Sequence, residues 1–141
     1  MLGGILVKIW KNFLLFYLGG MGYCTLELLW RRRTHGSMFV LGGVCFLGTG
    51  ALARTRLPGW LRAAAGGGMI TLLELGTGLL VNRDFSVWDY RGRQGNFLGQ
   101  ICPLFSAMWV PLSFAAGYLC RGLDRGLERR LGLPKTDVKF P

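Results

Sequence analysis

The sequence contains few acidic residues and few charged residues of any kind. Seven of its 141 residues are Asp or Glu, 17 are Lys or Arg, and charged residues make up only 17% of the chain. A soluble domain of this length usually carries more charge and has shorter apolar runs. Hydrophobic residues make up 51% of the chain, and the mean hydropathy is +0.36. This composition favours an integral membrane protein over a soluble one.

Several chemical motifs are also missing. The chain has one histidine, His35, with no second His or Cys at metal-ligand spacing, so we expect no metal site. Its four cysteines form no CxxC pair, which argues against a zinc site or a disulfide framework. Without GxxxxGK[ST] the chain is not the ATPase of a pump, and GxSxG and HExxH are absent too. We therefore expect no enzymatic activity and no cofactor, although Glu74 with His35 leaves open an intramembrane lipid-modifying enzyme.

The apolar residues fall into four blocks, each close to the length of a membrane helix and bounded by basic residues. They predict an all-α, polytopic fold with four transmembrane helices in one domain that covers residues 1–141. The predicted spans are 13–30, 38–53, 63–81 and 101–120. We expect residues 1–12 to form a short helix on, or entering, the inner interface. Leucines four residues apart predict an amphipathic interfacial helix over 121–133.

The basic residues are dispersed between the apolar blocks, which suits lipid headgroups and topology rather than nucleic acid. Eleven Lys and Arg residues lie on the side of the termini and the second connection, and six lie on the other side. This excess predicts cytoplasmic N and C termini. In the second span, small residues at helical spacing predict close helix packing; they are Gly42, Gly43, Thr49, Gly50 and Ala53.

Glu74 is the only charged residue in the third predicted span. A carboxylate at that depth costs about 2.5–3.5 kcal/mol, so its side chain should face protein or water rather than lipid. Glu27 lies in the last turn of the first span, near the outer interface. The arginines at 31–33 and the loop residues Arg83, Asp84, Asp89 and Asn96 lie on the same side in this topology. Two interpretations stay open: a proton- or cation-linked pathway, or a structural network that fixes helix register.

The connection 82–100 is long and contains the aromatic and acidic sequence Trp88-Asp89-Tyr90. Trp and Tyr at a headgroup boundary commonly anchor a membrane protein, although they can also stack on a ligand. A loop of this length without secondary structure is often functional. We therefore include this connection in the candidate site.

The sequence contains THGSMF, VWDY and NFLGQIC in that order, within the segments 25–50, 87–90 and 96–109. Together with ITLLELGTGLLVN at 70–82, these segments resemble the CmpB-type family of bacterial integral membrane proteins, which are labelled as ABC-transporter permeases. The resemblance covers roughly residues 13–120, and RGRQG at 91–95 departs from it. It implies transport in a bacterial cell membrane. The family positions that recur together are Glu27, Glu74, Trp88, Asp89, Tyr90, Asn96, Gly99, Gln100 and Cys102.

The sequence therefore predicts a small transporter- or channel-like protein whose intramembrane glutamates bind a cation, a proton or a cationic solute. The alternative is a non-catalytic membrane scaffold or an accessory subunit of a larger membrane complex. Four short spans enclose little space, so we expect a homodimer surrounded by membrane lipids, with a partner membrane subunit as a further option. The predicted binding residues are Glu27, Glu74, Trp88, Asp89, Tyr90, Asn96, Gln100 and Arg83.

Overall fold

The computed structural model describes residues 2–135, and within this range the chain forms four α-helices. They are α1 (Leu2–Arg31), α2 (Gly36–Ala53), α3 (Gly59–Val81) and α4 (Pro103–Leu131). Each of the four is long and apolar enough to cross a membrane. The prediction of an all-α protein with four membrane-spanning helices is confirmed.

Local sequence explains where these helices begin and end. His35 caps α2 because its Nδ1 accepts a hydrogen bond from the Ser37 backbone N–H at 3.2 Å. Pro103 stands at the first position of α4, where its missing N–H costs nothing. Gly132 ends α4 in the left-handed conformation, with φ of 62°, and its N–H bonds to the Glu128 carbonyl.

The first and last helices are longer than the predicted spans. Residues 2–12 form no separate helix, because α1 runs without a break from Leu2. Residues 121–131 are the last turns of α4, continuous with the fourth span. Both extensions carry charges that pair with each other. The buried charges Lys11, Asp124 and Glu128 of these extensions are therefore paired within the protein.

This pairing forms what we call the terminal charge cluster: Lys11, Arg54, Asp124 and Glu128. The Lys11 Nζ lies 2.6 Å from Asp124 Oδ1 and 3.0 Å from Glu128 Oε1. Arg54, which follows α2, forms a salt bridge with Asp124. All except Arg54 are buried. The cluster joins α1, the end of α2 and α4 at one end of the bundle, which we call the terminal end.

Helix α2 packs against the other three helices. All five of its predicted small packing residues are buried, as expected. At Gly42 the close approach is decisive, because a Cβ there would lie 2.5 Å from the Cβ of Tyr23. The absent side chain allows α1 to bring Tyr23 into the bundle near its other end, the loop end. The connections 32–35 and 82–102 lie at that end.

Candidate functional site

Glu74 lies in the middle of α3 and is only 4% exposed. Its two oxygens have separate partners: Tyr90 Oη donates to Oε1 at 3.0 Å, and Trp109 Nε1 donates to Oε2 at 3.1 Å. Both partners are neutral aromatic side chains, one from the long connection and one from α4. The structure therefore holds this carboxylate with hydrogen bonds inside the protein, and Glu74 forms no salt bridge within residues 2–135.

The two donors are held in place by other aromatic rings. The Tyr90 ring stacks on Phe105 with centroids 5.0 Å apart, and Trp109 lies 6.0 Å from Tyr23. Burial, with a further contribution from the Glu74 carboxylate, raises the pKa of the Tyr90 hydroxyl. Tyr90 therefore keeps its proton and remains a donor to Glu74.

Glu27 lies in the last turn of α1 and is also buried. One of its oxygens forms a salt bridge with Arg31, and the other accepts a hydrogen bond from Thr34 Oγ1 at 3.0 Å. Arg31 also donates to the Val87 carbonyl at 3.3 Å. These contacts tie the end of α1 to both connections of the loop end.

A cavity of about 220 Å³, which we call the main cavity, lies between α1, α4 and the long connection. From α1 it is lined by Tyr23, Leu26, Glu27, Trp30 and Arg31, and from the rest of the chain by Tyr90, Phe105, Met108, Trp109 and Leu112. Glu27 thus reaches the cavity directly. Glu74 reaches it through its partners Tyr90 and Trp109, which are both cavity walls.

A smaller cavity of about 90 Å³ lies next to the main one. Glu27 and Arg31 line both, so their salt bridge separates the two spaces. The remaining walls of the smaller cavity are Arg33, Thr34, His35, Ser86 and Val87. One side of the Glu27–Arg31 pair therefore meets a mainly aromatic space and the other side a polar one.

The connection 82–102 is fixed to the end of α3 by Asn82, which is fully buried. The Asn82 Nδ2 donates to the Trp88 carbonyl at 2.7 Å and to Gln100 Oε1 at 2.9 Å. Gln100 Nε2 donates back to the Asn82 carbonyl at 3.0 Å, and Trp88 Nε1 donates to the Gln100 carbonyl at 2.9 Å. Because Tyr90 follows Trp88 by two residues, this network positions the Tyr90 side chain to donate its hydrogen bond to Glu74.

Of the eight predicted binding residues, Glu27 and Tyr90 line the main cavity, and Glu74 lies behind its wall, bonded to Tyr90. Trp88 and Gln100 are buried in the network that holds the connection. Ligand roles for all eight stay predictions.

The other three predicted residues lie outside the main cavity and bond within the chain. Asp89 pairs with Arg91 at 2.7 Å on the surface, and the Arg91 side chain holds the pKa of Asp89 at about 2. Arg83 donates to the Leu79 carbonyl at the end of α3. Asn96 bonds to the backbone of Arg91, Arg93 and Gly99.

Sequence reasoning did not select three residues that shape the site: Tyr23, Trp109 and Asn82. Tyr23 lies one turn before Glu27, so a shared helix face was the available signal. Trp109 is 35 positions from Glu74, and no spacing rule connects the two. Asn82 ends α3, and an Asn at a helix end is an ordinary feature.

A family model described as "Putative ABC-transporter type IV" matches residues 10–129. The chain belongs to this family. The resemblance predicted from the sequence is confirmed, and the matched range contains both glutamates, the long connection and the main cavity. Comparison with the curated proteins and with the solved structures finds no match. Family membership and four apolar helices together fit a multi-pass, transporter-like membrane protein.

Proposed function

We propose that this member of the family is a small transporter in which Glu27 and Glu74 bind a proton, a cation or a cationic solute at the main cavity. One observation carries the proposal. Both hydrogen bonds that Glu74 accepts come from side chains that line the cavity. A change at this buried carboxylate therefore reaches the cavity wall directly.

Glu74 is the better candidate for the proton. When ionised, it accepts hydrogen bonds from both Tyr90 and Trp109. When protonated, one of its oxygens becomes a donor, so one of the two aromatic side chains has to change its hydrogen bonding. Proton uptake would thereby alter the shape of the cavity. A two-state element that responds to protonation is what coupled transport needs.

Glu27 is the better candidate for direct contact with the solute, because its side chain lines the cavity. Its partner Arg31 lies on the same wall and neutralises its charge. A cationic group that enters the cavity would compete with Arg31 for the carboxylate. Such exchange of ionic partners allows binding without leaving a charge buried and unpaired.

We propose a non-enzymatic role for the chain. The residues that line the main cavity include no Ser, Cys, His or Lys, and its carboxylate, Glu27, is already paired with Arg31. His35 is engaged as the cap of α2. These observations favour binding over covalent chemistry.

We propose that the protein lies in the bacterial cytoplasmic membrane with both termini in the cytoplasm. The terminal charge cluster places the start of α1 beside the end of α4, so these helix ends share one end of the bundle. That end carries the larger number of Lys and Arg residues. We also propose a homodimer, because four short spans enclose little space for a transport pathway. Native mass spectrometry of the protein released from lipid nanodiscs tests the dimer. Detection of the monomer mass alone would exclude it.

The central experiment compares the wild type with Glu74→Gln in proteoliposomes that contain a trapped pH-sensitive dye. A potassium gradient with valinomycin drives proton entry. Glutamine keeps the shape and an acceptor oxygen for Trp109 but cannot exchange a proton. We expect Glu74→Gln to keep the melting temperature of the wild type and to lower proton flux to that of empty vesicles. Equal flux in both proteins would contradict the proposal.

A scaffold or accessory-subunit role is the second candidate. Both carboxylates already have partners within the chain, as a purely structural network requires. This role predicts a lower melting temperature for Glu74→Gln and no proton flux in either protein. The same pair of proteins therefore separates the two functions.

A further inference from the structure

Aromatic side chains make up half of the residues that line the main cavity. Tyr23, Trp30, Tyr90, Phe105 and Trp109 come from α1, the long connection and α4. The faces of such rings carry partial negative charge and attract cations, most strongly where water is excluded. The Tyr90 hydroxyl and the Trp109 N–H both point to Glu74, which leaves mainly ring carbon for the cavity.

The charges around the cavity favour a positive ligand. Glu27 and Arg31 neutralise each other on one wall. Glu74, behind Tyr90 and Trp109, adds one negative charge when it is ionised and none when it is protonated. Arg31 offers little to an anion, because it already contacts Glu27 and the Val87 carbonyl.

The cavity has few free hydrogen-bond acceptors. The oxygens of Glu27 bond to Arg31 and Thr34, and those of Glu74 bond to Tyr90 and Trp109. A primary ammonium group carries three N–H donors that would need acceptors after losing water. A quaternary ammonium group carries none, so its transfer into this cavity leaves no donor unsatisfied.

We propose that the solute is a lipophilic cation without N–H donors, of the quaternary ammonium class. This inference rests on the proposed function and names its substrate class. The cation lies among the aromatic rings, and ionised Glu74 supplies the counter-charge through Tyr90 and Trp109. Binding of the cation and protonation of Glu74 therefore oppose each other.

The route into the cavity is from the lipid side. Leu26, Trp30, Met108 and Leu112 line the cavity, and all four are exposed on the bundle surface. In a membrane this surface faces acyl chains. A cation with apolar substituents partitions into the membrane interface and reaches the cavity between α1 and α4 without crossing the polar wall formed by Glu27 and Arg31.

The test uses four compounds that share a benzyl group and differ in the group attached to it. Benzyltrimethylammonium is the quaternary cation, neopentylbenzene its neutral isostere, benzylammonium the primary cation and benzylsulfonate the anion. The Trp109 indole N–H signal of ¹⁵N-labelled protein in detergent, identified by its loss in Trp109→Phe, reports binding. We expect saturable binding of benzyltrimethylammonium, about tenfold weaker binding of benzylammonium, and none of the other two.

Two variants place the binding at this cavity. Glu74→Gln removes the counter-charge and should weaken the quaternary cation about tenfold, read from the same indole signal. Trp30→Leu, at an exposed position where folding is insensitive, should weaken it by loss of a ring. The matched control is Trp60→Leu, because Trp60 is equally exposed and lies outside the cavity. It should leave the affinity unchanged.

The inference would be overturned if neopentylbenzene or benzylammonium bound as tightly as benzyltrimethylammonium. It would also be overturned if benzylsulfonate bound, or if benzyltrimethylammonium did not bind. These failures differ from a failure of the proposed function. If Glu74→Gln loses proton flux but the wild type binds no quaternary cation, the proposed transporter function stands and this substrate class is rejected. If the quaternary cation binds selectively but the wild type and Glu74→Gln show equal proton flux, the binding site stands and proton coupling is rejected.

Discussion

Glu74 is buried, and the two hydrogen bonds that its carboxylate accepts both come from neutral side chains. Tyr90 and Trp109 donate to it from two different parts of the chain. Their donors would lose a strong acceptor if the carboxylate disappeared. The three residues therefore act as one unit, and their energies should not be additive.

The first prediction concerns this unit. Tyr90→Phe should destabilise the wild type by about 1–2 kcal/mol, because one hydrogen bond to a carboxylate is lost. The same change should cost much less in a Glu74→Leu background, where that acceptor is already missing. Denaturation in mild detergent measures the four proteins of the cycle. Tyr118→Phe is the control, because the half-exposed Tyr118 hydroxyl lies far along α4 and accepts from Arg62. Additive effects of the two changes would contradict the coupling.

For individual residues, the sequence predicted the two glutamates better than it predicted their hydrogen-bonding partners. Glu74 is recognisable because a charge inside an apolar run is costly and needs a reason. Trp109 and Tyr23 are not recognisable in this way, because aromatic residues are common in membrane helices and their partners depend on tertiary packing. The prediction also grouped Asp89 with the glutamates. Asp89 pairs with Arg91 on the surface, so closeness in sequence to Tyr90 does not bring its side chain to the wall of the main cavity.

Among the helices, α1 and α4 meet at the terminal end and are separated by the main cavity at the loop end. The terminal charge cluster makes the contact at the first end. Aromatic and apolar side chains border the space at the second. The cluster thus fixes one end of the two helices that form the cavity.

The second prediction tests the cluster. Lys11→Met should destabilise the protein by up to about 3–5 kcal/mol, because it removes the buried cation that contacts both Asp124 and Glu128. Lys8→Met is the matched control, since Lys8 is on the same helix but exposed. Its effect should be within about 0.5 kcal/mol. Comparable melting temperatures for the two variants would show that the cluster does not hold α1 to α4.

The third prediction concerns the contact of α2 with α4. A Cβ on Gly117 would lie 2.7 Å from the Thr49 carbonyl oxygen, so Gly117→Ala should cost about 1–3 kcal/mol through overpacking. Gly122→Ala is the control on the same helix, where a Cβ meets nothing within 4 Å. It should stabilise by about 0.5–1 kcal/mol through helix propensity. Thermal unfolding of both variants checks the opposite signs, and equal signs would reject this contact.

Apolar block lengths predicted the four helices but not their full extent. The blocks stop at the first charges, whereas α1 and α4 continue through Lys11, Asp124 and Glu128. Those charges pair across helices, and sequence patterns within one helix do not reveal such pairs. The small residues of α2 were predictable because helical spacing alone places them on shared faces.

For the whole molecule, the connections alternate between the two ends of the bundle. The connection 54–58 lies at the terminal end, and 32–35 and 82–102 lie at the loop end. The distribution of Lys and Arg assigns the terminal end to the cytoplasm in our proposal. The cavity and both glutamates would then lie in the outer half of the membrane.

The fourth prediction tests this orientation in intact cells. Gly92→Cys in the long connection and Thr55→Cys in 54–58 are introduced separately, after the four native cysteines are replaced. Both positions are exposed, and neither change alters the charge balance. A membrane-impermeant maleimide should label Gly92→Cys in intact cells and Thr55→Cys only after permeabilisation. The reverse pattern would invert the orientation.

The central claim is that the charge of Glu74 and the occupant of the main cavity are linked. Proton release during ligand binding tests it most directly, with a pH-indicator dye in weakly buffered detergent solution. Benzyltrimethylammonium should release protons from the wild type across part of the pH range, because cation binding favours the ionised carboxylate. Glu74→Gln should release none at any pH, even when enough cation is added to saturate it. Equal release from both proteins, or binding to the wild type without release at every pH, would contradict the account.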